Sequence, residues 1–181
     1  VMAELDKLGL LARDCMTVTG HTVGENLAGA RNLDEDVIRA NCRTYVDAMH
    51  EYFGPESAPL FASKALCFKG IYPVVQSEGM CVDVVSPGEI YTAKSAGFDM
   101  SKACFHSNSK NDFDINFALD YGVGCFAVDN LEELTAINSF AGERGLKQKI
   151  IFRVTPGIDT HTYEAVNTGK VDSKFGFPIE T

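Results

Sequence analysis

From Asp34 onward, five short apolar runs alternate with amphipathic helical stretches, and that rhythm admits few folds. The runs are Leu60-Phe61-Ala62-Ser63, Cys81-Val82-Asp83-Val84-Val85, Ala103-Cys104-Phe105-His106, Cys125-Phe126-Ala127-Val128 and Lys149-Ile150-Ile151-Phe152-Arg153-Val154. Asp34 is placed to cap a first helix through Val37, Cys42, Tyr45 and Met49 that stops near Gly54-Pro55. Helical patterns follow over Lys69 to Glu78, Gly88 to Ala96, Phe113 to Tyr121 and Leu131 to Arg144. Gly79 and Gly97 are natural terminators for the first two of these. Apolar strands alternating with helices predict an α/β fold with a parallel sheet and right-handed crossovers. Five units are too few for an eight-stranded (β/α)8 barrel, which takes about 250 residues. An open doubly wound sheet and a barrel cut short both satisfy the pattern, and periodicity does not choose between them.

Charge and composition narrow the function classes. Twenty-five acidic against 16 basic residues give a net charge of -9, which disfavours a phosphate backbone as partner. No apolar run approaches the ~20 residues needed to span a bilayer. The start, Val1-Met2-Ala3-Glu4-Leu5-Asp6, has neither the basic nor the apolar part of a signal peptide. The expectation is therefore a cytoplasmic protein that binds neither nucleic acid nor membrane. A first residue of valine suggests an excerpt whose true start is not shown. Cys15, Cys42, Cys67, Cys81, Cys104 and Cys125 stand 14 or more residues apart with no C-x-x-C pair, so free thiols are expected and no metal site is.

Three strand ends carry candidate chemistry. In Phe61-Ala62-Ser63-Lys64-Ala65-Leu66, Lys64 follows the first strand, at the end that bears the active site in a barrel. A buried lysine among small neighbours has room for a cofactor and suits imine formation with an aldehyde; a solvated lysine at a strand edge is the plainer alternative. Asp83 ends the second strand in D-V-V-S-P-G-E, facing either inward to a site or outward. Ser86 reads as a helix cap, with Glu89 three residues on to complete a capping box. Arg153, in an otherwise apolar fifth strand, needs an anionic partner, for which Asp83 or a cofactor phosphate would serve. His106, in F-H-S-N-S-K, reads as an ordinary loop histidine. T-G-K-V-D-S-K-F-G, from Thr168, looks like a phosphate-cradling loop but lacks the spacing of a nucleotide-binding one.

Taken in order, the D-V-I-R helix start, F-A-S-K-A, D-V-V-S-P-G-E-I, F-H-S-N-S-K, V-D-N-L-E-E-L, R-V-T-P-G-I with His161-Thr162, and T-G-K-V-D-S-K-F-G-F resemble the diaminopimelate decarboxylases. These are alanine-racemase-like enzymes that depend on pyridoxal 5'-phosphate. The last two motifs favour that family over its ornithine and arginine relatives. The resemblance implies that residues 33–181 form part of a (β/α)8 barrel, with Lys64 as the Schiff-base lysine and Asp83 and Arg153 in the polar network around the cofactor. It implies further a lyase that converts meso-diaminopimelate to lysine and carbon dioxide, working as a homodimer on a small amino-acid substrate.

A glycine-rich phosphate loop, a ring-stacking histidine, a glutamate for the pyridine nitrogen and a C-terminal β-domain, all expected of the family, are not in this sequence. The chain is thus expected to be a fragment that is inactive alone. Residues 1–32 depart from the family. Their G-L-L, C-M-T-V-T-G and G-E-N-L strings resemble an internal segment of dihydroxy-acid dehydratase without its cluster-ligand motifs, so a chimera of two fragments is expected. A dehydratase piece, or a non-catalytic fusion that uses its half-barrel as an interaction surface, are the alternatives.

Overall fold

The computed structural model describes residues 34–156 and 176–179. The chain divides into two compact units, residues 1–41 and 42–181. What is described of the first is the start of helix α1 (Glu35–Phe53), opened as expected by Asp34, whose Oδ1 accepts from the backbone N–H groups of Asp36 and Val37 at 3.1 and 3.2 Å.

Among the described residues of the second unit, five strands alternate with four helices between Leu60 and Phe152. These are β1 (Leu60–Ala62), α2 (Ile71–Ser77), β2 (Cys81–Val84), α3 (Pro87–Ser95), β3 (Ala103–Phe105), α4 (Asp112–Asp120), β4 (Cys125–Val128), α5 (Leu131–Glu143) and β5 (Lys149–Phe152). Each strand pairs in parallel with the next in sequence, in the order β1-β2-β3-β4-β5. That order decides between the two architectures left open. A doubly wound sheet reverses its strand order at a switch point. Right-handed crossovers that always step the same way put every helix on one face, as in a barrel wall. The sheet is a partial barrel.

Alternation along the strands separates two faces. Val82, Val84, Phe105, Phe126 and Val128 are fully buried on one face of the strands, as are Ile71, Tyr72, Ile90, Ile115 and Ile137 on the helices. Full burial of such side chains contributes about 1.5–3 kcal/mol each, so this layer carries most of the stability. Phe105 and Phe126, partners in register, pack edge to face at 5.8 Å. Gly124 immediately precedes β4, at a point where a Cβ would lie 1.8 Å from the Ser101 carbonyl oxygen. The close approach lets its own N–H donate to the Met100 carbonyl at 2.9 Å.

The fifth strand is shorter than the sequence suggests. Its ladder ends at Phe152, and Val154–Thr155 (β6) leaves to pair in parallel with Phe177–Pro178 (β7) in a separate two-stranded sheet. Arg153 lies at the break, its N–H donating back to Val128 and its carbonyl accepting from Phe177.

Candidate functional site

The face opposite the helices carries the polar groups. Leu60, Asp83, Cys104, His106, Ala127, Ile151 and Arg153 line a cavity of about 340 Å³. Asp83, His106 and Arg153 stand at the carboxyl ends of their strands, where barrel active sites form.

Asp83 faces inward. Its Oδ2 lies 3.5 Å from His106 Nδ1, while its Oδ1 is buried with no hydrogen-bond donor among the described residues. His106, which the sequence marks only as an ordinary loop histidine, thus has the acid as its neighbour. Its position is set by its own N–H, which donates to Val84 at 2.8 Å.

Arg153 does not pair with Asp83. Its Nη1 lies 3.7 Å from Oδ2 of Asp129, whose side chain is 3% exposed against 27% for the arginine. The sequence reading missed Asp129 because the residue follows an apolar strand and precedes a helix cap, a place where acids are ordinary. The guanidinium is also half-buried, not buried, because the chain turns out of the strand there.

Asp129 is held from behind. Its N–H donates to Glu133 Oε2 at 2.8 Å, and Glu133 Oε1 accepts from Lys110 Nζ at 2.8 Å. Lys110 also donates to the Ser107 carbonyl at 2.6 Å and lies over the Phe105 ring. The lysine side chain is 0% exposed and that of the glutamate 5%, so this ion pair works away from water. It joins the β3–α4 loop, which carries His106, to the first turn of α5, whose Glu133 holds the N–H of Asp129 just before the cap.

The cap of α3 also departs from expectation. Ser86 accepts from the Glu89 N–H at 3.3 Å as foreseen. The Glu89 carboxylate does not return to the Ser86 N–H to complete a capping box, but reaches one residue further to accept from Val85 at 2.9 Å. Burial raises the Glu89 carboxyl above its ordinary value and the charge of Asp83 adds to the rise, while the Val85 bond and Lys64 oppose it.

Lys64 lies in a 3-10 turn, Ser63–Ala65, directly after β1, at the carboxyl end of its strand as expected. It is exposed and not buried, because the turn swings it out of the ladder after Ala62. Ser63, beside it, is fully buried. His161, Thr162 and residues 168–175 of the expected loop lie outside the described residues, as does the segment 1–32.

The five described cysteines are free thiols, and among the described residues no cluster of His, Cys, Asp and Glu has the makings of a metal site. No helix among them is long and apolar enough to cross a membrane.

Known proteins resemble this chain in sequence and in fold. The family model described as pyridoxal-dependent decarboxylase, pyridoxal binding domain, matches residues 36–181. A diaminopimelate decarboxylase of Bacillus methanolicus is 40% identical over 147 residues, covering 81% of this chain and 34% of the relative. Among solved structures, the diaminopimelate decarboxylase of Helicobacter pylori in complex with L-lysine superposes with a TM-score of 0.69 at 28% identity, over 77% of this chain and 35% of that one. The diaminopimelate decarboxylase of M. jannaschii gives 0.70 at 28% identity, over 91% of this chain and 39% of that one. The chain spans about a third of the length of the relatives it matches. These matches lend nothing to the dehydratase-like reading of residues 1–32.

Proposed function

Since the chain belongs to the pyridoxal-dependent decarboxylase family, we propose that residues 33–181 are the part of a diaminopimelate decarboxylase that holds pyridoxal 5'-phosphate by its aldehyde. On this reading residues 1–32 are a separate segment, and the whole enzyme is a cytoplasmic homodimer that converts meso-diaminopimelate to lysine and carbon dioxide. The observation that carries the proposal is the meeting of Asp83, His106 and Arg153 on one cavity, in a domain whose curated relatives bear that enzyme's name.

The cavity fits such a ligand. Its volume of about 340 Å³ falls in the range of small-molecule sites. Asp83 Oδ1, buried and short of a donor, calls for an N–H or O–H from whatever fills the space. Bound there, the cofactor would supply an electron sink for the pair released as carbon dioxide leaves.

The protein's part is to bind and orient. Lys64 would hold the cofactor through Nζ, and its exposed position leaves it free to be displaced by a substrate amine. Asp83 accepts a proton or hydrogen bond at Oδ1, with His106 on its other oxygen. Arg153, anchored by Asp129, presents positive charge to a carboxylate or phosphate.

Joining residues 33–180 to the remaining two thirds of the Bacillus methanolicus relative tests this. The hybrid should release carbon dioxide from meso-diaminopimelate. Lys64→Ala should remove nearly all turnover and Lys64→Arg should do no better, because a guanidinium stays protonated. Lys69→Ala and Lys94→Ala should stay within a fewfold of the parent. Activity that survives Lys64→Ala, or a preference for ornithine, would contradict the proposal.

A further inference from the structure

The inner face of the sheet carries a feature that the decarboxylase reading does not use. Cys104 of β3 and Cys125 of β4 are Cα partners in the parallel ladder. Partners in register point to the same face, and neighbouring strands lie about 4.8 Å apart. Cys104 lines the cavity and Cys125 is half-buried beside it. The contact leaves its mark on Cys104, whose thiol is pushed up to about 12 first by burial and then by its neighbour Cys125. Cys125 also makes a long contact of 3.8 Å with the Phe126 carbonyl.

We propose that Cys104, which lines the cavity, and its register partner Cys125 form a dithiol site that captures trivalent organoarsenicals and like compounds that bridge two thiols. Side chains of register partners on parallel strands project side by side. That arrangement suits an atom placed between two sulfurs. A direct disulfide suits it less, because its Cβ atoms must converge with a dihedral near 90°.

The capture balances without an oxidant. An aryl arsenoxide condenses with both thiols, two arsenic–sulfur bonds form, and the oxygen leaves as water with the two thiol protons. Arsenic remains trivalent and nothing is oxidised. No other described cysteine has this arrangement. Cys42 is buried in α1, Cys67 is exposed with Tyr72 Oη 3.4 Å from its sulfur, and Cys81 has Leu60 as its register partner.

Titration of the 181-residue chain with phenylarsine oxide, followed by counting free thiols, tests the site. One equivalent should remove two of the six thiols, and 2,3-dimercaptopropanol should restore them where a monothiol does not. Cys104→Ser and Cys125→Ser should each weaken capture by about a hundredfold or more, because the second bond forms at high effective concentration. Cys15→Ser, Cys67→Ser and Cys81→Ser should leave it unchanged.

The unmutated protein supplies a check that does not depend on how the variants fold. Dibromobimane alkylates two neighbouring thiols irreversibly, and trypsin then cuts after Lys102, Lys110 and Arg144. A cross-link joining peptide 103–110 to peptide 111–144 is the expected product. A cross-link between other cysteines, or tight capture retained by both serine variants, would overturn the proposal.

Discussion

Lys110→Met should destabilise the fold by about 3–5 kcal/mol, the usual result of removing one partner from a buried ion pair. The figure follows from what the substitution leaves behind. Methionine replaces the lysine stem at similar volume, so little packing is lost. The ammonium disappears from between Glu133 Oε1 at 2.8 Å and the Ser107 carbonyl at 2.6 Å. Glu133, with a side chain 5% exposed, then keeps the Asp129 N–H but faces no cation.

Against a total stability of about 5–15 kcal/mol, that loss takes a large share. Glu133→Gln alone should also be costly, because it strands the buried ammonium. The double substitution Lys110→Met with Glu133→Gln removes both charges and should cost less than the sum of the singles. A coupling of about 1–3 kcal/mol is expected for groups in direct contact. Urea denaturation of the four proteins, followed by circular dichroism at constant slope, measures each term. A Lys110→Met cost below about 1 kcal/mol, with singles that add within about 0.5 kcal/mol, would refute the claim that this pair is buried and coupled.

Two further outcomes follow from the geometry. The raised carboxyl of Glu89 means that the fold favours its protonated form, so its contribution is full below its unfolded value and is lost as pH rises through the folded one. Glu89→Gln, which keeps an acceptor for the Val85 N–H, should flatten thermal stability across the acidic range; a profile as steep as the parent's would contradict this. Gly124→Ala should abolish or severely weaken folding, since its Cβ would meet the Ser101 backbone oxygen at 1.8 Å and backbone cannot yield as a side chain can. Expression at parental level with an unchanged melting point would show that approach to be looser than described.

Much of the fold was legible because its determinants are local. Apolar runs of four to six residues, the Asp34 and Ser86 caps and the glycines after the helices each report on a few neighbouring positions. Strand order was not legible, because a β-α-β unit looks the same whichever side of the sheet it joins. Of the site, Lys64 and Asp83 could be placed at strand ends by counting, but their surroundings could not. Lys64's exposure depends on a turn after Ala62 that no periodicity marks. Arg153 drew attention as a charge in an apolar strand, yet its partner Asp129 is 24 residues away with a helix between them. Lys110 and Glu133, separated by 23 residues, read as a loop lysine and a first-turn helix acid. The N-x-x-E spacing of Asn130 and Glu133 is the one local signal that could have drawn notice to them, since the Asn130 side chain accepts from the Glu133 N–H at 2.8 Å.

The two sides of the strand ends are held differently, and the difference suits the proposed chemistry. Asp129 is fixed by Glu133, Glu133 by Lys110, and Arg153 by Asp129 together with backbone bonds to Val128 and Phe177. The links among Lys110, Glu133 and the Asp129 N–H are buried, so the backbone that carries the Asp129 carboxylate is set before any ligand arrives, and Arg153 meets that carboxylate as an ion pair at 3.7 Å. Lys64, in contrast, lies exposed in a three-residue turn with no side-chain cap, and a lysine side chain in solvent keeps much of its rotamer freedom. A group that only attracts gains from being rigid, because reorganisation is costly. A nucleophile that must bond to a ligand and then be released needs torsional freedom to do both. The same β-α unit supplies either property according to whether a buried glutamate ties down the residue before the cap, as Glu133 does at Asp129, or a 3-10 turn follows the strand, as it does at Lys64.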